Sequence, residues 1–271
     1  MKITDEQLKL LNSFKCIRLR KLRKLRNLRN LKNLSIINNF SNARNPNIAD
    51  ILKNNALKED QESETAYYVI RRKDKIALFF SIKCGLLFDK SIEDYLTELI
   101  NSKNDKNKIE KLLGKLEKLK YLLSDIKKET NKNIKRVSET YSGIELVHLR
   151  SNDNFKNKWE SFASKYSIRK ENTMAKIFFW HYIVPKVIEL NNIIGSKYLY
   201  LFAADSTDDR TLVNYYNDLL FEQNKEVSTI KPYYDFSCIF MCQEIANLKD
   251  SREHFFNNFN SEIDSFKEFS S

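Results

Sequence analysis

"NTMAKIFFWHYIVPKVIELNNIIGSKYLYLFAAD", residues 172–205, decides how the rest of the chain is read. Residues 172–195 are largely apolar and end on Gly195, the residue type that closes helices in the left-handed conformation. They read as a buried helix, with Pro185 as the residue that kinks it. Residues 197–205 are aromatic and aliphatic and read as a strand. A buried helix feeding a strand is the unit of a layered α/β fold.

The same alternation continues on both sides. "GIELVHL", 143–149, reads as a strand before it, and "DDRTLVNYYNDLLFE", 208–222, as an acid-started helix after it. "YYDFSCIFMCQ", 233–243, is a closing strand, with Cys238 and Cys242 on one face as buried thiols. Towards the N-terminus, 66–71 and 75–82 read as two strands joined at Lys73-Asp74. "PNIADILKNNALKE", 46–59, reads as a helix with Ile48, Ile51, Leu52 and Ala56 on one side. "NDNFKNKW", 152–159, reads as a surface loop and short helix anchored by Trp159.

Residues 90–140 break the pattern. Ile109, Leu112, Leu116, Leu119, Leu123 and Ile126 are spaced alternately three and four apart, a short heptad seam. The segment reads as a helical hairpin inserted into one domain, and its seam also offers a route to oligomers. The chain therefore divides into a basic arm or first-strand region (1–45), a main domain (46–250) carrying the insertion, and a tail (251–271).

Composition sets outer bounds. Four Gly and three Pro in 271 residues argue against tight-turned β sandwiches. Net charge is +11, but nine of the Lys and Arg fall within 15–32 with no acid, so the remainder carries only +2. The basicity belongs to that one segment. There, Leu19, Leu22, Leu25, Leu28, Leu31 and Leu34 recur every third residue. A helix drifts about 60° at each such step, so six leucines smear around it and an amphipathic helix is poorly specified. A single LxxLxLxxN match does not make a solenoid. Two readings stay open: a basic arm for RNA or another polyanion, through phosphate contact, or a tolerated repeat expansion. The four scattered cysteines, the absence of an apolar leader and a longest apolar run of only 177–184 point to a cytoplasmic protein with no membrane span. No His/Cys spacing suits a metal.

Four pieces, in order, resemble the GNAT superfamily of N-acetyltransferases. "NIADILKNNALKE" with "TAYYVI" resembles its first helix-then-strand block, and "KIALFFSIKCGLLF" its third strand. "GIELVHL", the helix from 172 and "YLYLFAAD" resemble the cofactor-binding core. "DDRTLVNYYNDLLF" resembles the signature N-x-x-A-x-x-[FL]-Y with its closing G-F: Asp209 stands for the Asn, Leu212 for the Ala and Tyr216 for the Tyr. The likeness covers about 46–90 and 143–245.

The resemblance implies a mixed α/β sheet flanked by helices, acetyl-CoA as co-substrate and a primary amine as acceptor, RNA-linked or on a protein. It places the pyrophosphate at the loop [QR]-x-x-G-x-[GA], here Lys170, Glu171, Asn172, Thr173, Met174 and Ala175. A helix start there, through Lys176, suits that charge. It places the rest of the cofactor on Val147, His148 and Leu149, with Asp209 at the next helix. Tyr216 becomes the acid for the leaving sulfur and Glu145 a base acting through water. Strict alternation puts Glu145 and His148 on opposite faces, so that only one of them faces the cleft. Trp180 and His181 read as core. Thr173 stands where the family has Gly, and no Gly occurs between 144 and 194. That departure supports the alternative, a GNAT-fold scaffold without catalysis that binds nucleic acid or protein. A purely helical DNA-binding protein would leave four strands unexplained.

Overall fold

The computed structural model describes residues 1–24, 36–43, 46–89, 140–205, 209–224, 227–229 and 238–261. The helical insertion read at 90–140 lies outside them, as does the start of the closing strand read at 233–243. Along the chain run α1 (Asp5–Asn12), β1 (Lys15–Arg18), α2 (Leu19–Lys24), α3 (Pro46–Asp50), α4 (Ala56–Glu62), β2 (Ala66–Arg72), β3 (Lys75–Asp89) and β4 (Thr140–Ser151). Then come α5 (Asp153–Lys165), α6 (Met174–Phe178), α7 (Val184–Ile194), β5 (Tyr198–Ala203), α8 (Thr211–Asn217), β6 (Val227–Ser228), β7 (Ile239–Glu244) and α9 (Leu248–Asn257).

The strands form a mixed sheet in the order β1-β2-β3-β4-β5-β7, with β6 against β3. Every described pair is antiparallel except β4 and β5. Helices cover both faces. This is the expected α/β architecture, a mixed central sheet flanked by helices.

Alternation along β2 and β3 supplies two cores. Tyr68, Ile70, Leu78, Phe80 and Ile82 pack with α1, α6, α7 and α9 on one face. Tyr67, Val69, Ile76 and Phe79 pack with α2, α3 and α4 on the other. β3 runs to Asp89, past the expected end at 82, because it pairs with β4 as far as Phe88 and Thr140.

The helix over 172–195 is present as α6, a wider π turn at Phe179–Ile183, and α7, closed by Gly195 at φ 61°. Pro185 explains the π turn, because it has no amide to give to the preceding turn. Arg252 Nε donates instead to the Trp180 carbonyl, at 2.9 Å. Trp159 sits on the edge of Phe178, ring centres 5.5 Å apart, and fixes α5 as the sequence suggested.

Two stretches differ from expectation. α2 is helical despite the three-residue leucine spacing. It is only six residues long, so Leu19 and Leu22 drift by a single step and both stay buried. Residues 15–24 are thus built into the fold: β1 pairs with β2, and Asp60 holds Arg18 Nε and the Arg20 amide, both at 2.8 Å. The stretch from 251, read as a tail, continues α9 and brings Phe255, Phe256 and Phe259 into the core. It also meets the chain's first residues. Ile3 N donates to Phe256 O (2.9 Å), Asn260 Nδ2 to Lys2 O (2.9 Å) and Gln7 Nε2 to Asn260 Oδ1 (3.0 Å).

Candidate functional site: a fork between β4 and β5

β4 and β5 share only three rungs, Gly143 with Tyr198, Ile144 with Leu199 and Glu145 with Tyr200. β4 continues to Ser151 and β5 to Ala203 without further pairing between them. The cause lies in β4. Its register against β3 slips so that Ser81 faces His148 while Ile82 faces Leu146, leaving Val147 as an extra residue. Such a bulge bends its strand and increases the local twist. The last shared rung, at Glu145, falls just ahead of the bulge, and the two strands diverge from there.

The bulge corrects the facing of Glu145 and His148. Alternation alone sets them on opposite faces, but the extra residue restores them to one. Lys83 Nζ lies 3.3 Å from Glu145 Oε2, and Ser81 Oγ lies 2.7 Å from His148 Nδ1. Ser81 and Lys83 are alternate residues of β3 and share a face. Ile144, Leu146 and Leu149 belong to the opposite face and its core. Leu149 is buried there, and its carbonyl accepts from Arg150 Nη1 at 3.0 Å.

On the Glu145 face, Tyr200 Oη donates to Glu145 Oε2 at 3.2 Å. Two of the chain's four glycines face each other here, Gly85 on β3 and Gly143 on β4. A Cβ on Gly85 would fall 1.8 Å from Tyr200 Oη, and one on Gly143 would fall 3.0 Å from the Tyr200 ring. The paired glycines are the cradle of the ring. His148 stacks on Tyr67, ring centres 5.8 Å apart.

At the other side of the fork, α6 begins. Thr173 is its N-cap, with Oγ1 accepting from Lys176 N at 3.3 Å. The first helical amides, Met174 and Ala175, have no acceptor within the helix. Asn172 is tied by its side chain to Phe259 O at 2.8 Å, which braces the loop. Lys170 is exposed, and Glu171 pairs with Arg169 at 3.3 Å. Lys176 is buried.

α8 closes this side. Tyr216 is in the core, its ring near Tyr215 (5.5 Å) and Phe221 (6.0 Å). Sequence reasoning missed Tyr215. Its hydroxyl is sealed from solvent without a hydrogen bond, and the Thr173 side chain lies beside it without the geometry of one. Burial pushes the Tyr215 phenol up, so it stays a neutral donor. Asp209 is exposed, and only its backbone meets α8, through Asn214 Nδ2. The first α8 amides go instead to Asp205, whose Oδ2 accepts from Leu212 and Val213 at 2.8 and 2.9 Å. Leu220, where the signature has Gly, is left-handed at φ 66°. That conformation is costly for any residue with a Cβ.

Burial, then Arg150 and Lys83, pushes His148 down to about 4, and burial, then Arg252, does the same for His181. Both imidazoles are neutral at pH 7. The unfolded chain binds more protons between pH 6.5 and 4, so stability is present above 6.5 and is lost as pH falls through 4. Each histidine should account for about 2–3 kcal/mol of that loss. Urea midpoints at pH 7.0, 5.5 and 4.5 check it: a flat profile contradicts the burial of both rings, and His148→Gln should flatten about half the slope.

The cofactor implied by the resemblance fits these residues. An extended amide-bearing arm suits unpaired strand edges, and a pyrophosphate suits free amides at a helix start. The Tyr215 hydroxyl packs behind that start, beside the Thr173 side chain and closed off from solvent. Among the described residues no three His, Cys, Asp or Glu side chains gather as a metal needs, and no helix is long and apolar enough to cross a membrane.

No family model and no curated protein matches the sequence. Among solved structures, a bacterial toxin is similar at 12% identity and TM-score 0.49, over 89% of this chain and 96% of that one. A mutant of KacT is similar at 9% and 0.48, over 88% and 98%. AtaTR bound with AcCoA is similar at 9% and 0.45, over 89% and 98%. At such identities and scores no activity passes from them to this chain.

Proposed function

We propose that the chain is an acetyl-CoA-dependent N-acetyltransferase acting on a primary amine borne by an RNA or a protein. The observation that carries the reading is the fork: a bulged β4 diverging from β5 at Glu145, with the helix start capped by Thr173 at its other side. Acetyl-CoA, when bound, supplies a thioester carbonyl and a thiolate leaving group. The amides of Met174 and Ala175, with Lys170 nearby, hold the pyrophosphate. Val147, His148 and Leu149 border the fork with their backbone. Glu145 takes the proton of the attacking amine through water, and Tyr216 gives one to the leaving sulfur.

Calorimetric titration with acetyl-CoA tests the cofactor half. Wild-type protein should bind at micromolar concentration, and Thr173→Glu should weaken binding at least about tenfold by setting a carboxylate against the phosphates. A folded wild-type protein that shows no heat at millimolar acetyl-CoA would sink the reading. The Thr173 Cβ, where the family has Gly, favours the second reading, a non-catalytic scaffold, and that result would leave it standing.

A further inference from the structure

We propose that Lys83 and Tyr200 are positioning residues for Glu145, gripping one carboxylate oxygen so that the other meets the incoming amine; this rests on the acyl-transfer reading. Glu145 is buried, its side chain 5% exposed. Both its partners bind the same atom: Lys83 Nζ lies 3.3 Å and Tyr200 Oη 3.2 Å from Oε2. Among the described residues Oε1 has no hydrogen-bond partner, and it is not among their sealed unpartnered atoms. It sits at the last rung before the strands diverge.

Stability does not require this arrangement. A buried ion pair gains little over apolar residues of the same volume. Here, though, three elements converge on one oxygen. Lys83 faces Glu145 directly across β3 and β4, and Tyr200 faces it across β4 and β5. Gly85 and Gly143 leave the space that the Tyr200 ring occupies. The grip fixes the torsions of a side chain that would otherwise swing, which is what a group moving a proton through one water requires.

The transfer step balances. The amine nitrogen forms the new bond to the acetyl carbon and the carbon–sulfur bond breaks. The amine proton goes to Oε1 through water, and the sulfur takes one from Tyr216.

The test measures thiol release from acetyl-CoA by the full chain, with glycinamide and Nα-acetyl-lysinamide as amines. Tyr200→Phe keeps the ring in its cradle and should lower kcat roughly tenfold with the KM for acetyl-CoA unchanged. Lys83→Met should lower it further, and Lys83→Arg should restore most of the loss. Gly85→Ala, which displaces Tyr200 Oη without touching its chemistry, should reproduce Tyr200→Phe. Equal kcat in wild type, Tyr200→Phe and Lys83→Met overturns this proposal alone. Wild-type protein that binds acetyl-CoA yet releases no thiol with either amine overturns the transfer reading and this proposal together.

Discussion

Asp60→Ala should lower the unfolding free energy by about 2–4 kcal/mol, somewhat less than the loss from a wholly buried pair because Arg18 keeps some contact with water. Asp60 is fully buried, and the Arg18 side chain is 21% exposed. The carboxylate also holds the Arg20 amide at the first turn of α2, so its removal frees two donors. In a chain of this size the loss corresponds to roughly 4–12 °C in Tm. A change below about 2 °C in a thermal scan would mean that the strand and helix of residues 15–24 are held without it. Restoring Tm with added polyanion would instead show that Arg18 serves an external partner. The expected outcome is no such rescue, since Arg18 is already engaged inside the fold.

Phe178→Ala should be at least as damaging, at about 3–5 kcal/mol, because a large ring leaves a cavity that a well-packed core fills poorly. Phe178 is fully buried and meets Phe14, Trp159 and Tyr182 edge-on, with ring centres 4.9, 5.5 and 5.7 Å away. It lies one turn inside α6, so the cavity opens beneath the helix start at Thr173. Chemical denaturation should therefore show the stability loss, and the acetyl-CoA titration should show weakened binding in the same variant. Phe178→Leu, which refills most of the space, should recover more than half of the stability. Equal damage from both would point away from a packing cause.

What the sequence disclosed follows from how local each signal is. The helix of 172–195 was legible because its apolar run is long and Gly195 ends it; both properties belong to consecutive residues. The strands were legible for the same reason. The bulge at Val147 was not, because it is a relation between β3 and β4, and neither strand alone carries a mark of it. The error about Glu145 and His148 came from that one residue. Tyr215 was passed over in favour of Tyr216 because the signature singles out the second tyrosine, whereas burial singles out the first hydroxyl. Asp205 was missed because it binds α8 from outside the helix, while Arg210 occupies the cap position with φ 50°. The basic stretch misled to a degree because composition records charge and not its partner: Asp60 lies 42 residues away from Arg18.

The meeting of Lys2, Ile3 and Gln7 with Phe256 and Asn260 has a consequence during synthesis. A ribosome adds about 5–20 residues per second, so the first helix waits roughly 10–50 s before its partner has been made. Leu10 and Leu11 belong to the same cluster as Phe255, Phe256 and Phe259, and lack that part of their cover throughout that interval. A nascent chain stalled before residue 256 would carry a finished sheet and an unsealed seam, and would be a natural client for chaperones and proteases.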